Sequence, residues 1–255
     1  MNADDKWLRC LAPRPAARMR LFSCPYAGAG THAYGLLAAA LPETVEPFAV
    51  RLPGRESRLD EPPMTNMRVL VEELADAIEA RIDRPYALFG HSMGARMAFD
   101  LARALRARGA RAPAALLVSG CAAPTAPPPA RPVHALPDDR LVAELRHRNG
   151  VTDRVLDDPE ARGLFLPALR ADLTLAERYQ YRPEPPLAVP IQAFHGTHDR
   201  WVSRADMVGW AAQTTRYFVI TPVSGGHFFV HGLRARTLIG QAVGRMLAAA
   251  HRDAA

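Results

Sequence analysis

Short apolar runs alternate with helical patterns along most of this chain, and the alternation narrows the folds that it can adopt. The sequence predicts six strands, at residues 19–24, 48–52, 86–89, 114–118, 191–194 and 217–220. Helices are predicted at about 34–41, 66–83 (behind the N-cap Asn66), 93–108 and 233–249. Strands that are apolar on both faces and separated by helices are typical of a mostly parallel sheet with helices on both faces. We therefore predict an α/β fold.

One segment, at about 125–185, breaks this alternation. It is bracketed by the proline-rich stretches 123–132 and 183–190. Between them lie two helical patterns, whose apolar positions are Leu141, Val142 and Leu145, and then Leu166, Leu169, Leu173 and Ala176. We predict that residues 1–255 form a single domain, in which this segment is a helical lid over the carboxyl ends of the strands. Ordinary crossover helices are the alternative.

Composition excludes several classes of protein. With 49% hydrophobic and 23% charged residues, the chain is neither disordered nor fibrous. No apolar run approaches the roughly 20 residues of a membrane span, and the first residues do not resemble a secretory signal. The three cysteines are scattered, so reduced thiols and a cytoplasmic location are expected. Nothing in the sequence indicates an obligate assembly, and a monomer is expected. The net charge is +6, but arginines and acids are interleaved and no nucleic-acid motif occurs.

The segment Gly90-His91-Ser92-Met93-Gly94 carries the strongest chemical signal. It matches G-x-S-x-G between a predicted strand and a predicted helix, the context of a nucleophile elbow. Such a sharp turn needs small residues two positions before and after the nucleophile, and Gly90 and Gly94 meet that need. We predict that Ser92 is a nucleophile.

A serine nucleophile needs a base and an acid that orients the base. On a strand-turn-helix elbow the chain order is serine, acid, histidine. Asp199 follows the fifth predicted strand, and His227 follows the sixth behind two glycines. We predict Asp199 and His227 as these partners. The rival acids Asp172 and Asp206 do not end a strand.

The oxyanion formed during acyl transfer needs two backbone N–H donors. We expect one from Met93, directly after the nucleophile, and the other from Ala27 in the turn after the first predicted strand. That turn lacks the glycine spacing of a nucleotide site, and His195 and His198 have poor spacing for a metal. No cofactor and no metal are expected. His91 is interpreted as structural or pocket-lining.

The chain resembles the type II thioesterases of polyketide and nonribosomal peptide biosynthesis over nearly its whole length. The segments that carry the resemblance are Cys24-Pro25-Tyr26-Ala27-Gly28, Leu52-Pro53-Gly54-Arg55-Glu56 with Glu61-Pro62-Pro63, Phe89–Ala95, Leu169-Arg170-Ala171-Asp172, Pro190-Ile191 leading to Asp199, and Gly225–Phe229. The residues alone give no function for the segment around Arg55, which is interpreted as a structural bridge.

The resemblance implies an α/β-hydrolase fold with a mobile helical lid. It also implies hydrolysis of acyl groups held as thioesters on the phosphopantetheine arm of acyl or peptidyl carrier proteins, for editing or release. Two positions depart from related patterns. The fourth predicted strand ends Val118-Ser119-Gly120-Cys121, without the carboxylate that integrated terminal thioesterases carry there, which favours Asp199 as the acid. Phe194-His195-Gly196 stands where the family more often has two glycines.

Three alternatives remain at this point. The first is a carboxylesterase for small molecules on the same fold. The second is a non-catalytic carrier-binding protein, against which the complete serine, aspartate and histidine set speaks. The third is an integrated-type cyclase, against which the missing carboxylate after Val118 speaks. The arginine excess fits either docking of an acidic carrier protein or scattered surface charge.

Overall fold

A seven-stranded sheet organises the computed structural model, which describes residues 6–128, 131–148 and 153–252. Its order is β1-β3-β2-β4-β5-β6-β7, with β1 antiparallel to β3 and the other neighbours parallel. The strand bounds are Leu8–Cys10 (β1), Met19–Cys24 (β2), Val45–Val50 (β3), Tyr86–His91 (β4), Ala115–Ser119 (β5), Ile191–Gly196 (β6) and Phe218–Val223 (β7). The strand that precedes Ser92 therefore lies at the centre of the sheet.

The described residues form eight α-helices, distributed over both faces of the sheet. Their bounds are Gly35–Ala40 (α1), Met67–Glu79 (α2), Met93–Ala107 (α3), Asp138–Arg148 (α4), Asp153–Asp157 (α5), Pro159–Glu177 (α6), Arg204–Val208 (α7) and Leu233–Arg252 (α8). Apolar side chains of α2 and α3 form the core on one face, and those of α1 and α8 form it on the other. The predicted α/β architecture is confirmed. None of the described helices is both long and apolar enough to cross a membrane.

The boundaries of the elements differ from the sequence prediction in a few places. Helix α2 begins as predicted, because the Asn66 side chain accepts hydrogen bonds from the N–H groups of Arg68 and Val69. Strand β3 begins three residues before the predicted strand, since pairing with β2 extends down to Val45. Strand β1 was not predicted. It has three residues and forms an edge through pairing with β3, which no local periodicity can reveal.

Helices α4, α5 and α6 form a helical insertion between β5 and β6, with an apolar cluster of its own. The buried members of this cluster are Val133, Leu141, Leu145, Leu156, Leu166 and Leu169. Partly buried Ala27, from the loop after β2, packs against it. Since that loop lies at the carboxyl end of a parallel strand, the insertion contacts the edge of the sheet where such folds place their sites.

The end of the insertion is attached to α3 by polar contacts. Arg96 Nη1 donates a 2.9 Å hydrogen bond to the carbonyl oxygen of Ala176, and its guanidinium group lies 4.9 Å from the centre of the Tyr179 ring. The Tyr179 hydroxyl donates to Asp100 Oδ1 at 2.9 Å. Helix α3 therefore holds both Ser92, at its start, and the segment that leaves the insertion.

The Asp100 carboxyl group makes the stability of this attachment depend on pH. Burial raises the pKa of Asp100 to about 6, although the Tyr179 hydroxyl and the positive charge of Arg103 favour the ionised form. Between about pH 4 and pH 6 the folded state thus binds more protons than the unfolded state, and stability falls as pH rises.

Asp100→Asn keeps an acceptor for Tyr179 but carries no charge. Relative to the wild type, we expect its free energy of unfolding to increase between pH 4.5 and pH 7 by on the order of 1–3 kcal/mol. Urea unfolding of both proteins at the two pH values measures this difference. An equal difference at both pH values would contradict the burial argument.

Candidate active site

Ser92 occupies a strained turn between β4 and α3. Its φ is 52° and its ψ is −120°, a region that residues other than glycine rarely adopt. The turn is possible because its neighbours lack side chains: a Cβ atom on Gly90 would lie 2.0 Å from the Gly94 carbonyl oxygen, and one on Gly94 would lie 2.2 Å from that of Cys24. The Ser92 N–H donates to the Ser119 carbonyl at 2.8 Å. This geometry holds the half-buried Ser92 hydroxyl at the carboxyl edge of the sheet.

Asp199 and His227 meet at the same edge, from the loops that follow β6 and β7. His227 Nδ1 lies 2.8 Å from Asp199 Oδ2, and the two side chains are 9% and 0% exposed. The loops approach each other closely at Gly196, where an added Cβ atom would lie 2.8–2.9 Å from the carbonyl oxygens of Gly226 and Gly225. His195 stands at a position where the resemblance leads us to expect a glycine. Its side chain is accommodated because it is partly exposed, whereas Gly196 lies at the contact between the two loops.

The second oxygen of the Asp199 carboxylate is held by the backbone. Asp199 Oδ1 accepts hydrogen bonds from the N–H groups of Trp201, at 2.9 Å, and Val202, at 3.2 Å. Burial alone would raise the pKa of Asp199, but the His227 hydrogen bond and charge and these two N–H donors lower it below its ordinary value. Asp199 is therefore ionised at neutral pH and can stabilise positive charge on His227.

In the described part of the chain, the Ser92 hydroxyl makes no hydrogen bond, and the one hydrogen bond of the His227 ring is that to Asp199. The rings of His91 and His227 lie 5.0 Å apart, centre to centre, which places His227 next to the residue that precedes Ser92. A contact between nucleophile and base is often loose in a free protein and tightens in the complex with substrate.

His91 is a buried structural residue beneath the site. Its Nδ1 atom lies 3.0 Å from the Ser119 hydroxyl oxygen, at the end of β5 where the sequence lacks a carboxylate. Burial, followed by the nearby charge of His227, lowers the pKa of His91 well below its ordinary value, so the ring is neutral. Gly120 is required beside it, because its φ is 52° and an added Cβ atom would lie 2.6 Å from His91 Cε1.

An aromatic rim that the sequence analysis missed surrounds His227. The Trp201 ring lies 4.5 Å from the His227 ring, centre to centre, and Phe228 contacts both. Tyr26 contacts Phe228 from the loop after β2, and its hydroxyl lies 2.9 Å from Nε2 of the exposed His231. Trp201 follows Asp199 by two residues, a spacing at which an aspartate side chain commonly accepts a backbone N–H, and this was the available signal.

The two predicted backbone donors lie at the start of α3 and in the loop after β2. Met93 is the first residue of α3, whose initial N–H groups have no partner within the helix. Among the described residues, neither the Met93 N–H nor the Ala27 N–H forms a hydrogen bond, whereas the Gly28 N–H donates to Asp172 Oδ2 at 2.8 Å. The Ala27 N–H is thus free to donate to a bound group, whereas the Gly28 N–H is not.

Neither of the rival acids, Asp172 and Asp206, forms a hydrogen bond with His227 in the described part of the chain. Asp172 forms a bidentate ion pair with Arg55, and Asp206 belongs to a capping box with Ser203 at the start of α7. The structural interpretation of Arg55 is consistent with this pair. Within residues 6–128, 131–148 and 153–252, no three His, Cys, Asp or Glu side chains converge as a metal site would require.

Comparison with known proteins places the chain in one family. The model of the thioesterase domain matches residues 19–242. The chain is 40% identical to the gramicidin S biosynthesis protein GrsT of Aneurinibacillus migulanus, over 89% of each chain. It is 36% identical to the thioesterase PikA5 of Streptomyces venezuelae, over 91% of this chain and 83% of that one.

A solved structure resembles the whole architecture. The type II thioesterase BorB from the borrelidin biosynthetic cluster aligns with a TM-score of 0.86 and 38% identity, over 95% of this chain and 98% of that one. Both the α/β-hydrolase fold and the type II thioesterase resemblance are confirmed by these matches. The chain belongs to the thioesterase domain family.

Proposed function

We propose that this protein is a serine thioesterase that hydrolyses acyl groups from phosphopantetheinyl carrier proteins through an acyl-Ser92 intermediate. The observation that carries the proposal is the convergence of three groups at one sheet edge: the strained Ser92 turn, and the 2.8 Å contact between His227 Nδ1 and Asp199 Oδ2. A nucleophile, a base and an orienting acid are what acyl transfer to serine requires. The role would be editing or release in polyketide or nonribosomal peptide biosynthesis.

In the acylation step, Ser92 Oγ attacks the thioester carbonyl carbon while His227 Nε2 takes the hydroxyl proton. Asp199 holds the proton of His227 on Nδ1 and stabilises the imidazolium that forms. The carbonyl oxygen becomes an oxyanion, which the N–H groups of Met93 and Ala27 would stabilise from the start of α3 and the loop after β2. The carbon–sulfur bond then breaks, His227 returns the proton to the pantetheine sulfur, and the thiol leaves.

In the deacylation step, His227 removes a proton from water, whose oxygen attacks the acyl-Ser92 carbonyl carbon. A second oxyanion forms at the same N–H groups. Collapse breaks the bond to Ser92 Oγ, which regains its proton from His227, and the carboxylic acid leaves. Every proton and electron pair is accounted for by substrate, water and these side chains. Thioesterases of this family generally need no cofactor, and the proposed steps use neither a cofactor nor a metal.

The partner follows from the chemistry of the relatives. GrsT is named for gramicidin S biosynthesis and BorB for the borrelidin biosynthetic cluster. Acyl intermediates of nonribosomal peptide and polyketide synthesis are tethered to carrier domains, and we propose such domains as the partner. The helical insertion packs on the loop after β2, and we propose that it is the lid at about 125–185 that admits the acyl arm. Its separate apolar cluster favours a lid over ordinary crossover helices. A monomeric state and a cytoplasmic location stay predictions.

The first test is carrier deacylation by the wild type and by Ser92→Ala. The substrate is an acyl group on a phosphopantetheinylated carrier protein, and a simple aryl ester is measured in parallel. We expect the wild type to release the acid and Ser92→Ala to be slower by on the order of 10⁴- to 10⁶-fold, because the nucleophile is lost. Mass spectrometry of the carrier measures the loss of the acyl group.

Other results of this assay would favour the alternatives. Hydrolysis of the aryl ester alone would indicate a carboxylesterase. No hydrolysis of either substrate, with binding of the carrier retained, would indicate a non-catalytic carrier-binding protein.

The acid is tested by Asp199→Asn. The amide oxygen can still accept the N–H groups of Trp201 and Val202, so the fold should persist, but the amide cannot stabilise the His227 imidazolium. We expect kcat to fall on the order of 10⁴-fold, by analogy with the serine protease triad. Asp206→Asn, a change of the same kind at a rival acid, should leave kcat within about threefold. Near-normal turnover by Asp199→Asn would assign the acid to another residue.

A further inference from the structure

Asp172 is a buried carboxylate that the proposed mechanism does not use. It lies on α6, in the helical insertion, and it is 1% exposed. Its Oδ2 atom accepts the N–H of Gly28 at 2.8 Å, across 144 residues of sequence. A carboxylate of the insertion is therefore bonded directly to the backbone of the loop after β2.

Arg55 completes the contact from a third part of the chain. Its Nη2 atom donates to Asp172 Oδ1 at 2.7 Å, and its Nη1 atom donates both to Asp172 Oδ2, at 2.7 Å, and to the Ala29 carbonyl oxygen, at 2.9 Å. A planar guanidinium group is suited to this forked geometry, which a lysine cannot reproduce. Arg55 and Asp172 thus hold the N–H of Gly28 and the C=O of Ala29 at the same time.

The next residue, Glu56, secures the far end of the same loop. Its Oε1 atom accepts the N–H of Thr31 at 2.8 Å, and both carboxylate oxygens contact the Thr31 hydroxyl. Glu56 has a φ of 52°, an uncommon conformation for a residue with a side chain. Two consecutive residues, Arg55 and Glu56, therefore fix the course of the loop from Gly28 to Thr31.

Apolar contacts bring the insertion onto the same loop. A Cβ atom added to Gly28 would lie 3.0 Å from Leu169 Cδ1 and 3.1 Å from Phe165 Cζ, both on α6. Gly28 also has a φ of 81°, so a side chain would be strained there in any case. Helix α6 consequently rests on the loop through Phe165 and Leu169 and bonds to it through Asp172.

The hydrogen bond between Asp172 and the Gly28 N–H lies next to the predicted oxyanion donor, the Ala27 N–H. The Gly28 N–H belongs to the peptide group that joins Ala27 to Gly28, and the Ala27 N–H belongs to the peptide group before it. When the plane of the Ala27–Gly28 peptide is fixed, rotation about the backbone bonds of Ala27 is restricted. The direction of the Ala27 N–H is restricted with it. An oxyanion donor works only when its direction is set in advance, and a displacement of about 1 Å can lower the rate on the order of 10²-fold.

We propose that Asp172 is a positioning residue for hydrolysis: with Arg55, it holds the loop after β2 so that the Ala27 N–H points at the developing oxyanion, and it makes that geometry depend on α6. The proposal rests on the proposed function, since it needs Ala27 as an oxyanion donor. Asp172 does not touch the substrate and acts through the backbone of Gly28. The donor is assembled when α6 lies on the loop and is misdirected when α6 leaves it.

Asp172→Asn is the main test. The Asp172 carboxylate accepts three hydrogen bonds, one from the Gly28 N–H and two from Arg55. In asparagine one of the two oxygens is replaced by an NH₂ group, which cannot accept, so at least one of these three hydrogen bonds is lost. We expect kcat on the acyl carrier to fall on the order of 10²-fold with KM within about threefold. An alkyl boronic acid, which forms a tetrahedral adduct with a reactive serine, should lose affinity by a similar factor, while the affinity for the carboxylic acid product should stay within about threefold.

Glu177→Gln is the matched control. Glu177 lies on the same helix, and its side chain is 9% exposed. It accepts the N–H groups of Val133 and His134 and contacts the His134 ring, and within the described ranges it forms no hydrogen bond with the loop after β2. This variant should lose thermal stability while kcat and boronic acid affinity stay within about threefold of the wild type.

Arg55→Lys provides a second route if Asp172→Asn does not fold. It keeps the positive charge but cannot bond to both carboxylate oxygens and to Ala29, so kcat and boronic acid affinity should fall together by about 10-fold, with product affinity unchanged. The proposal is overturned if kcat of the folded variants stays within threefold of the wild type, or if product affinity falls as much as boronic acid affinity. Inactive wild-type protein in the carrier assay would instead refute the proposed function.

Discussion

The close approach of three backbone segments at the Ser92 turn is the constraint on which the rest of the site depends. Gly90 and Gly94 let the end of β4, the start of α3 and the end of β2 come within contact distance of each other. Because no side chain separates them, the turn that carries Ser92 and the loop that carries Ala27 are parts of one packed unit. The strain at Ser92 is sustained by this packing and by the hydrogen bond to Ser119. The positions of Ser92 and of the loop after β2 therefore follow from the core.

His227 is surrounded by a charged group and by uncharged rings. Asp199 is ionised and bonded on both oxygens, so its charge is directed at Nδ1 of the imidazole. The neutral ring of His91 lies beneath, and Trp201 lies against the ring at the rim. A second buried carboxylate, Asp172, is neutralised by Arg55 and bonds to the backbone, so it does not compete for His227. Two buried aspartates thus serve one site through different partners.

Local patterns predicted most of the architecture, because strands buried on both faces and the elbow segment have short-range signatures. The order of Ser92, Asp199 and His227 was also predictable, since parallel strands deliver their following loops to one edge. Strand β1 and the three-residue extension of β3 were not, because they depend on pairing between distant segments. The contacts of Trp201 with His227 and of Asp172 with Gly28 were not predicted for the same reason, since no spacing in the sequence records them.

The place of the helical insertion in the chain has an evolutionary consequence. It enters after β5 and returns before β6, so Ser92 lies upstream of it, and Asp199 and His227 lie downstream. Segments of different length and shape could be exchanged between these points while Ser92, Asp199 and His227 keep their supports. One requirement limits that freedom. Any replacement segment would have to return a carboxylate to Gly28 and Arg55, so a chimaera that grafts a foreign insertion should be judged first at the residue that takes the place of Asp172.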